Sequence, residues 1–187
     1  MTRCAVLLFA LCAGSGSCMK APDPAGMNGP APAETPRPQV EFAAPEGWTA
    51  VAADQSFYLA KWEVAGGGVA TLSWLGPGAG QEFIVSNVQR WLGEWQQPDG
   101  AAVVDYQFET VTHGGRKTHR IALSGTLTGT RQLGGGDPRA GWGLFGAVVE
   151  SESGPLFLKF IGPAEVVAAG TAPAWNALAE LKIAQGE

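Results

Sequence analysis

Residues 81–96, QEFIVSNVQRWLGEWQ, decide the fold of this chain, because their apolar residues repeat with the period of an α-helix. At about 100° per residue, an apolar stripe about 120° wide forms on one face of such a helix. The residues of this stripe are Ile84, Val85, Val88, Trp91, Leu92 and Trp95. Burying them contributes on the order of 10 kcal/mol, far more than contacts between exposed rings and a ligand. We therefore predict that both tryptophans face a sheet, and that Asn87, at the border of the stripe, bonds a nearby backbone group.

Alternating apolar and polar residues on both sides of this helix predict antiparallel strands joined by short turns. Four hairpins are predicted: VEFAA (40–44) with WTAV (48–51), SFYLAKWEV (56–64) with VATLSW (69–74), YQFETV (106–111) with RKTHRIALSGTL (116–127), and WGLFGAVVES (142–151) with LFLKFIG (156–162). The last of these strands is apolar in both phases except at Lys159, which is typical of a central strand covered on both faces.

The end of the chain predicts a second helix over residues 171–184. Thr171 is a suitable N-cap residue, and Pro173 falls in the first turn, where proline is tolerated. One helix between strand pairs and one at the end predict the α+β class, with a mostly antiparallel sheet packed by helices. The strand-like pattern begins at Val40, after the proline-rich segment, so we expect a single domain over residues 40–187.

The N-terminus has the layout of an export signal. Arg3 precedes the apolar run CAVLLFALCA (4–13), and small residues lead to Cys18. The run is too short to span a bilayer as a mature helix. Residues 1–17 resemble the signal peptide of a bacterial lipoprotein, in which cleavage precedes a cysteine that then carries the lipid. Ser15 stands where that pattern usually has leucine, so secretion without a lipid is the alternative to lipidation of Cys18.

Residues 18–39 predict an extended tether between the lipid and the domain. Six of the thirteen prolines lie between residues 21 and 38, and almost no large apolar side chain accompanies them. Such a segment cannot bury enough surface to offset its ordering entropy. These features predict an exported protein anchored in the bacterial cell envelope, on the periplasmic side and in the outer membrane.

Charge and cysteine content exclude several classes of function. The net charge is −5 and the twelve Lys and Arg residues are scattered, which leaves no basic surface for a nucleic acid. All three cysteines, Cys4, Cys12 and Cys18, fall in or at the end of the signal. The domain therefore has no disulfide, no thiolate metal site and no cysteine nucleophile.

Three motifs give the chain a family resemblance. PEGW (45–48), together with the order of strands and helices, resembles the PsbP-like fold, an α/β/α sandwich found in extrinsic photosystem II proteins and in many bacterial lipoproteins. NVQRWLGEW (87–95) and GPLFLKFIGP (154–163) resemble an uncharacterised family of bacterial secreted lipoproteins. The resemblance covers most of residues 40–187 and implies an envelope location and a binding or assembly-supporting role. It brings no catalytic residue.

The sequence offers few residues that could bind a metal or catalyse a reaction. His113 lies at a hairpin tip, whereas His119 shares the phase of the apolar residues of its strand, so we expect the two histidines to diverge and to bind no metal. Hydrolysis needs a serine on a sharp turn beside a histidine and a carboxylate, and no G-x-S-x-G motif is present. Asp105, His119 and Ser124 form no convincing triad. We expect no catalytic residue and no cofactor.

The glycine-rich loop over residues 131–141 is the remaining candidate for a binding site. Arg131, Asp137 and Arg139 supply its charges, and Trp142 follows at its base. The loop is long enough to move, although an ordinary surface loop has the same composition. The sequence thus predicts a non-enzymatic, lipid-anchored envelope protein that binds an envelope protein partner or a small ligand. An envelope hydrolase with an unrecognised site is the alternative.

Overall fold

The computed structural model describes residues 36–78 and 80–184. The predicted signal peptide, Cys18 and the tether up to residue 35 lie outside the described residues. The last four residues assigned to the tether, 36–39, contact the domain: the Arg37 guanidinium donates hydrogen bonds to the backbone carbonyls of Ser56 and Tyr58, and Pro38 is buried.

Ten strands and two helices form from the described residues. The strands are β1 (Gln39–Glu41), β2 (Trp48–Val51), β3 (Tyr58–Val64), β4 (Gly68–Trp74), β5 (Trp95–Gln96), β6 (Gln107–His113), β7 (Arg116–Leu127), β8 (Arg139–Val149), β9 (Leu156–Pro163) and β10 (Lys182–Ala184). The helices are α1 (Gly80–Leu92) and α2 (Ala164–Ala179), and a 3₁₀ turn covers Arg131–Leu133. Neither helix of the described residues is long and apolar enough to cross a membrane.

The main sheet is antiparallel and has the order β2-β3-β4-β9-β8-β7, with β5 and β6 sharing the outer edge of β7. Strand β9 is central, as its two-sided apolar pattern predicts. Its side chains alternate between the helices: Phe157 and Ile161 pack in the cluster of α1, whereas Leu158 and Phe160 pack in the cluster of α2. The predicted α+β class, with a mostly antiparallel sheet packed by helices, is confirmed.

The predicted helix over residues 81–96 is confirmed with a shorter end. Gly93 donates its N–H to the carbonyl of Gln89 and closes the last turn, so Trp95 lies on β5 and not on α1. Trp91 and Trp95 are each 2% exposed, as the periodicity predicts. The buried face is rotated towards Asn87, whose amide donates to the Phe83 carbonyl at 2.8 Å, as expected. Val85, on the opposite flank of the stripe, is 37% exposed, which corrects the prediction.

Two predicted elements are wrong at the ends of the domain. The segment around β1 does not form a hairpin with β2, because β1 pairs with β10 in a separate two-stranded sheet. The last helix begins at Ala164, not at Thr171. Thr171 instead donates its hydroxyl to the Val167 carbonyl inside α2, and Pro173 is also internal. Packing of α2 against the sheet outweighs the low helix propensity of Thr171 and Pro173. The packing is close, because a Cβ on Gly170 would lie 2.6 Å from the Phe160 ring.

Candidate functional site

A cleft of about 1090 Å³ opens on the α1 face of the sheet, between β4, β9, the C-terminal part of α1 and loop 128–136. Small-molecule sites commonly occupy roughly 300–1000 Å³, so a small ligand has room in this cleft. Six of the nine buried polar side chains of the described residues line it: Thr71, Ser73, Asn87, Thr130, Gln132 and Lys159. Burying polar groups costs free energy unless they are paired, and here that cost is concentrated at one place.

Lys159 lies at the centre of the polar floor and is 6% exposed. Its ammonium group donates to the carboxylate of Glu94 and, over 3.1 Å, to the hydroxyl of Thr130. The other carboxylate oxygen of Glu94 lies 3.7 Å from Nη1 of Arg90, in the last turn of α1. Burial lowers the pKa of Lys159, an effect that the Glu94 carboxylate opposes and the Arg90 charge reinforces.

Loop 128–136 is attached to this floor by side chains at its beginning. The Thr128 hydroxyl donates to the Glu94 carbonyl at 2.9 Å. The Gln132 amide donates to the backbone carbonyls of Val69 and Lys159, at 3.0 and 2.9 Å, and so bridges β4 and β9. The Oε1 of Gln132 is buried without a hydrogen-bond partner among the described residues. The exposed rim consists of glycines 134–136, all with positive φ.

The residues predicted for a binding loop do not converge on the cleft. Asp137 is exposed, and neither it nor Arg139 nor Trp142 belongs to the cleft lining. The Arg139 guanidinium stacks 4.7 Å above the Trp142 ring, so these two side chains mainly engage each other. The side chain of Arg131 lies outside the described residues. A binding role for this set stays a prediction, although the loop itself borders the cleft through Gln132 and its glycines.

Sequence reasoning missed Lys159, Glu94 and Gln132 as site residues. Lys159 did carry a signal, because it is the one charge in an otherwise apolar strand. Its partner Glu94 is 65 residues away along the chain, and no local pattern predicts that contact. Gln132 has no sequence signal beyond its place in a glycine-rich loop.

A second polar array lies at the end of the sheet formed by β6, β7 and β8. Nδ1 of His119 is 2.8 Å from the Thr110 hydroxyl, and Nε2 is 2.8 Å from the Glu150 carboxylate. Lys117 Nζ also lies 2.9 Å from that carboxylate. Burial raises the pKa of Glu150, but the hydrogen bonds and charges of His119 and Lys117 outweigh it and leave the pKa below its ordinary value.

This array resembles a hydrolytic triad in composition but not in placement. His119 is 1% exposed and does not line the cleft. Its partners are Thr110 and Glu150, so the structure does not bring Asp105 and Ser124 to it as a triad. The array joins three neighbouring strands through side-chain hydrogen bonds, which is a structural role.

The two histidines are separated by the sheet. His113 stacks on the Trp175 ring of α2 with 3.7 Å between ring centroids, and its Nε2 donates to the Trp175 carbonyl at 2.7 Å. His119 points to the α1 face. Within residues 36–78 and 80–184, no group of three His, Cys, Asp or Glu side chains is arranged to hold a metal ion.

No protein-family model and no curated protein matches this chain. It is similar to the crystal structure of LpqN, involved in cell envelope biogenesis of Mycobacterium tuberculosis, with 14% identity, 81% of this chain and 87% of that chain covered, and a TM-score of 0.47. It is also similar to the solution structure of cyanobacterial PsbP (CyanoP) from Synechocystis sp. PCC 6803, with 11% identity, 86% and 99% covered, and a TM-score of 0.48. Similarity of this degree assigns neither function nor partner.

Breaking the buried ion pair from one side should destabilise the protein. Lys159→Met leaves the Glu94 carboxylate, 14% exposed, without its buried cation, and we expect the free energy of unfolding to fall by about 3 kcal/mol. The double variant Lys159→Met/Glu94→Met removes both charges and should recover most of that loss. Urea denaturation of the wild type, the single variants Lys159→Met and Glu94→Met, and the double variant measures both effects. Additive losses in the double variant would show that the two charges do not stabilise each other.

The Glu150 array should make stability depend on pH in the acidic range. The folded pKa of Glu150 is below about 4.5, its ordinary value, so between the two pKa values the unfolded chain binds more protons. The stabilisation is present above pH about 4.5 and is lost as pH falls through the folded pKa. We expect Glu150→Gln to reduce the loss of stability between pH 6 and 3, measured as the urea midpoint, with Glu152→Gln as the charge-matched control. An unchanged pH dependence in Glu150→Gln would contradict this account.

Proposed function

We propose that this protein is an exported, lipid-anchored, non-enzymatic binding module of the bacterial envelope, and that its small-molecule ligand occupies the cleft beside Lys159. The observation that carries the proposal is the concentration of six buried polar side chains in one cleft of the described domain. A purely structural core would place apolar residues on this face of β4 and β9, since both strands lie inside the sheet and Phe157 and Ile161 of β9 pack in the cluster of α1.

Two interruptions of apolar patterns meet in this cleft. Lys159 interrupts the apolar strand β9, and Asn87 lies at the edge of the apolar stripe of α1. Both side chains line the cleft and both are buried. Breaks in otherwise consistent local patterns are expected at functional sites, and here two independent breaks converge on the same space.

Binding accounts for the cleft better than catalysis does. The Lys159 ammonium group donates to both Glu94 and Thr130, so none of these three groups is held ready as a nucleophile or base. The His119 array has the residue types for hydrolysis, but it lies at the edge of the sheet, outside the cleft. A hydrolase built on Thr110 would have to bind its substrate on the outer strand β6, where Thr110 is exposed.

Export and anchoring are supported by the N-terminal sequence. The apolar run and the small residues before Cys18 have the layout of a lipoprotein signal. The proline-rich residues that follow would hold the cleft away from the membrane surface at up to about 3 Å per residue. On this proposal the partners are the membrane, through the lipid on Cys18, and the ligand of the cleft. A protein partner that delivers or receives that ligand would meet the exposed glycine rim of loop 128–136.

A bulky side chain at the mouth of the cleft should exclude the ligand. Gln55 is exposed and lines the cleft, so Gln55→Trp should fill its opening without disturbing the core. We expect native mass spectrometry of protein extracted from its own envelope to show an added ligand mass in the wild type that Gln55→Trp lacks. Gln89→Trp, on the exposed side of α1 and outside the lining, is the matched control and should keep the mass. A wild type without bound mass, or a Gln55→Trp protein that retains it, would count against the proposal.

The lipid anchor is tested by labelling with a tagged fatty acid. Cys18→Ser removes the thiol that would carry the lipid, and we expect the label to disappear and the protein to leave the membrane fraction. Cys12→Ser, which changes a cysteine inside the apolar run, should keep the label. Persistence of the label in Cys18→Ser would refute lipidation at this residue and favour secretion without a lipid.

A further inference from the structure

The cleft carries positive charge on an acidic protein. Three of the described residues that line it are charged: Arg90, Glu94 and Lys159. Two cations and one carboxylate give a net charge of +1 there, whereas the whole chain has a net charge of −5. The excess charge therefore belongs to the cleft and not to the protein as a whole.

Lys159 and Arg90 differ in how many of their hydrogen-bond donors are occupied by protein partners. Two of the three ammonium protons of Lys159 are directed to Glu94 and Thr130. Arg90 is held more loosely: its Nη2 donates to Asn87 Oδ1 at 3.3 Å, and its Nη1 is 3.7 Å from Glu94. A guanidinium group has five N–H donors, and 56% of this side chain is exposed. Arg90 can therefore meet a ligand at the mouth of the cleft while Lys159 acts from the floor.

Glu94 already occupies the position between these two cations. One of its carboxylate oxygens faces Lys159 and the other faces Arg90. A single carboxylate balances one of two positive charges, and one further negative charge would neutralise the group. A dianion would leave an excess of negative charge, and a cation would add to an existing repulsion in a partly desolvated space.

Apolar side chains border the charged floor. Phe57 and Leu75 are half-buried and line the cleft, and the buried rings of Trp91 and Phe157 line it as well. A ligand that contacts both the ion pair and the side chains of Phe57 and Leu75 meets charge in one part of the cleft and apolar groups in another. It therefore combines an anionic group with an apolar body.

We infer that the cleft binds amphipathic monoanions, that is, molecules with one carboxylate, sulfonate or phosphodiester group on an apolar body. This inference rests on the proposed function and specifies the chemistry of its ligand. The anionic group contacts Arg90 and Lys159 from the open side of the cleft, and the apolar body lies along Phe57 and Leu75. Glu94 competes with the ligand for both cations and so sets the affinity.

A pair of fluorescent probes tests the charge requirement. Anilinonaphthalene sulfonate and phenylnaphthylamine share the same ring system, and only the first carries a sulfonate. We expect the sulfonate probe to bind about tenfold more tightly than the neutral one, as for a hydrogen-bonded charge. Gln55→Trp should abolish binding of the sulfonate probe, which locates that binding in the cleft.

Charge variants show whether sulfonate binding depends on the charges of the cleft or on the net charge of the protein. Arg90→Gln should weaken sulfonate binding about fivefold and leave neutral binding unchanged. Glu94→Gln should strengthen sulfonate binding several-fold, a gain that loss of the cleft would not produce. Lys182→Gln removes an exposed cation on the two-stranded sheet and is the control for net charge. The urea midpoint of each variant is measured, and binding is compared only under conditions in which that variant is fully folded, because partly unfolded chains also bind the sulfonate probe.

The outcomes distinguish this inference from the proposed function. Equal affinities for the two probes, both lost in Gln55→Trp, would overturn the charge requirement and leave the cleft as a binding site. Sulfonate binding that survives Gln55→Trp, or that is absent in the wild type, would overturn the inference as well. The ligand mass seen by native mass spectrometry tests the proposed function independently of both probes.

Discussion

The structure depends on the burial of both faces of β9, the central strand. Five of its apolar side chains are at most 1% exposed: Leu156, Phe157, Leu158, Phe160 and Ile161. A strand of this kind requires a layer on each side, and α1 and α2 provide those layers. Lys159 is the exception within the strand, and its charge requires a carboxylate on the α1 face. Glu94 meets that requirement just after α1 ends, so the same strand that organises the core also fixes the position of the cleft.

The helices pack closely against the sheet, and this packing stabilises a domain that has no disulfide. A Cβ on Gly146 would lie 2.5 Å from the Trp91 ring, and one on Gly170 would lie 2.6 Å from Phe160. Real Cβ atoms do not approach other atoms so closely, so each glycine lets a ring reach the opposite backbone. The folded part contains no cysteine, and dense packing of this kind is the source of stability left to a domain without disulfides.

Local patterns in the sequence predict the parts of the fold that are stabilised locally. The hairpins β3–β4, β6–β7 and β8–β9, helix α1 and the central place of β9 follow from periodicity and turn residues. The pairing of β1 with β10 joins residues from the two ends of the domain, and no periodicity encodes that contact. Helix α2 was misplaced because Pro173 and Thr171 are typical of a helix start. The ion pair of the site could not be predicted for the same reason: Glu94 and Lys159 are 65 residues apart, and no local pattern encodes their contact.

Stability alone does not explain the buried charges of the cleft. A buried ion pair is weak grounds for stability, because well-packed apolar residues of similar volume often serve as well. Apolar residues at positions 94 and 159 would extend the α1-side cluster without any desolvation cost. The chain instead places Lys159 in an apolar strand, surrounds it with Thr71, Thr130 and Gln132, and leaves a cleft above it. An arrangement that adds polar cost to a sound core, in a cleft open to small molecules, supports the proposed binding role of the cleft.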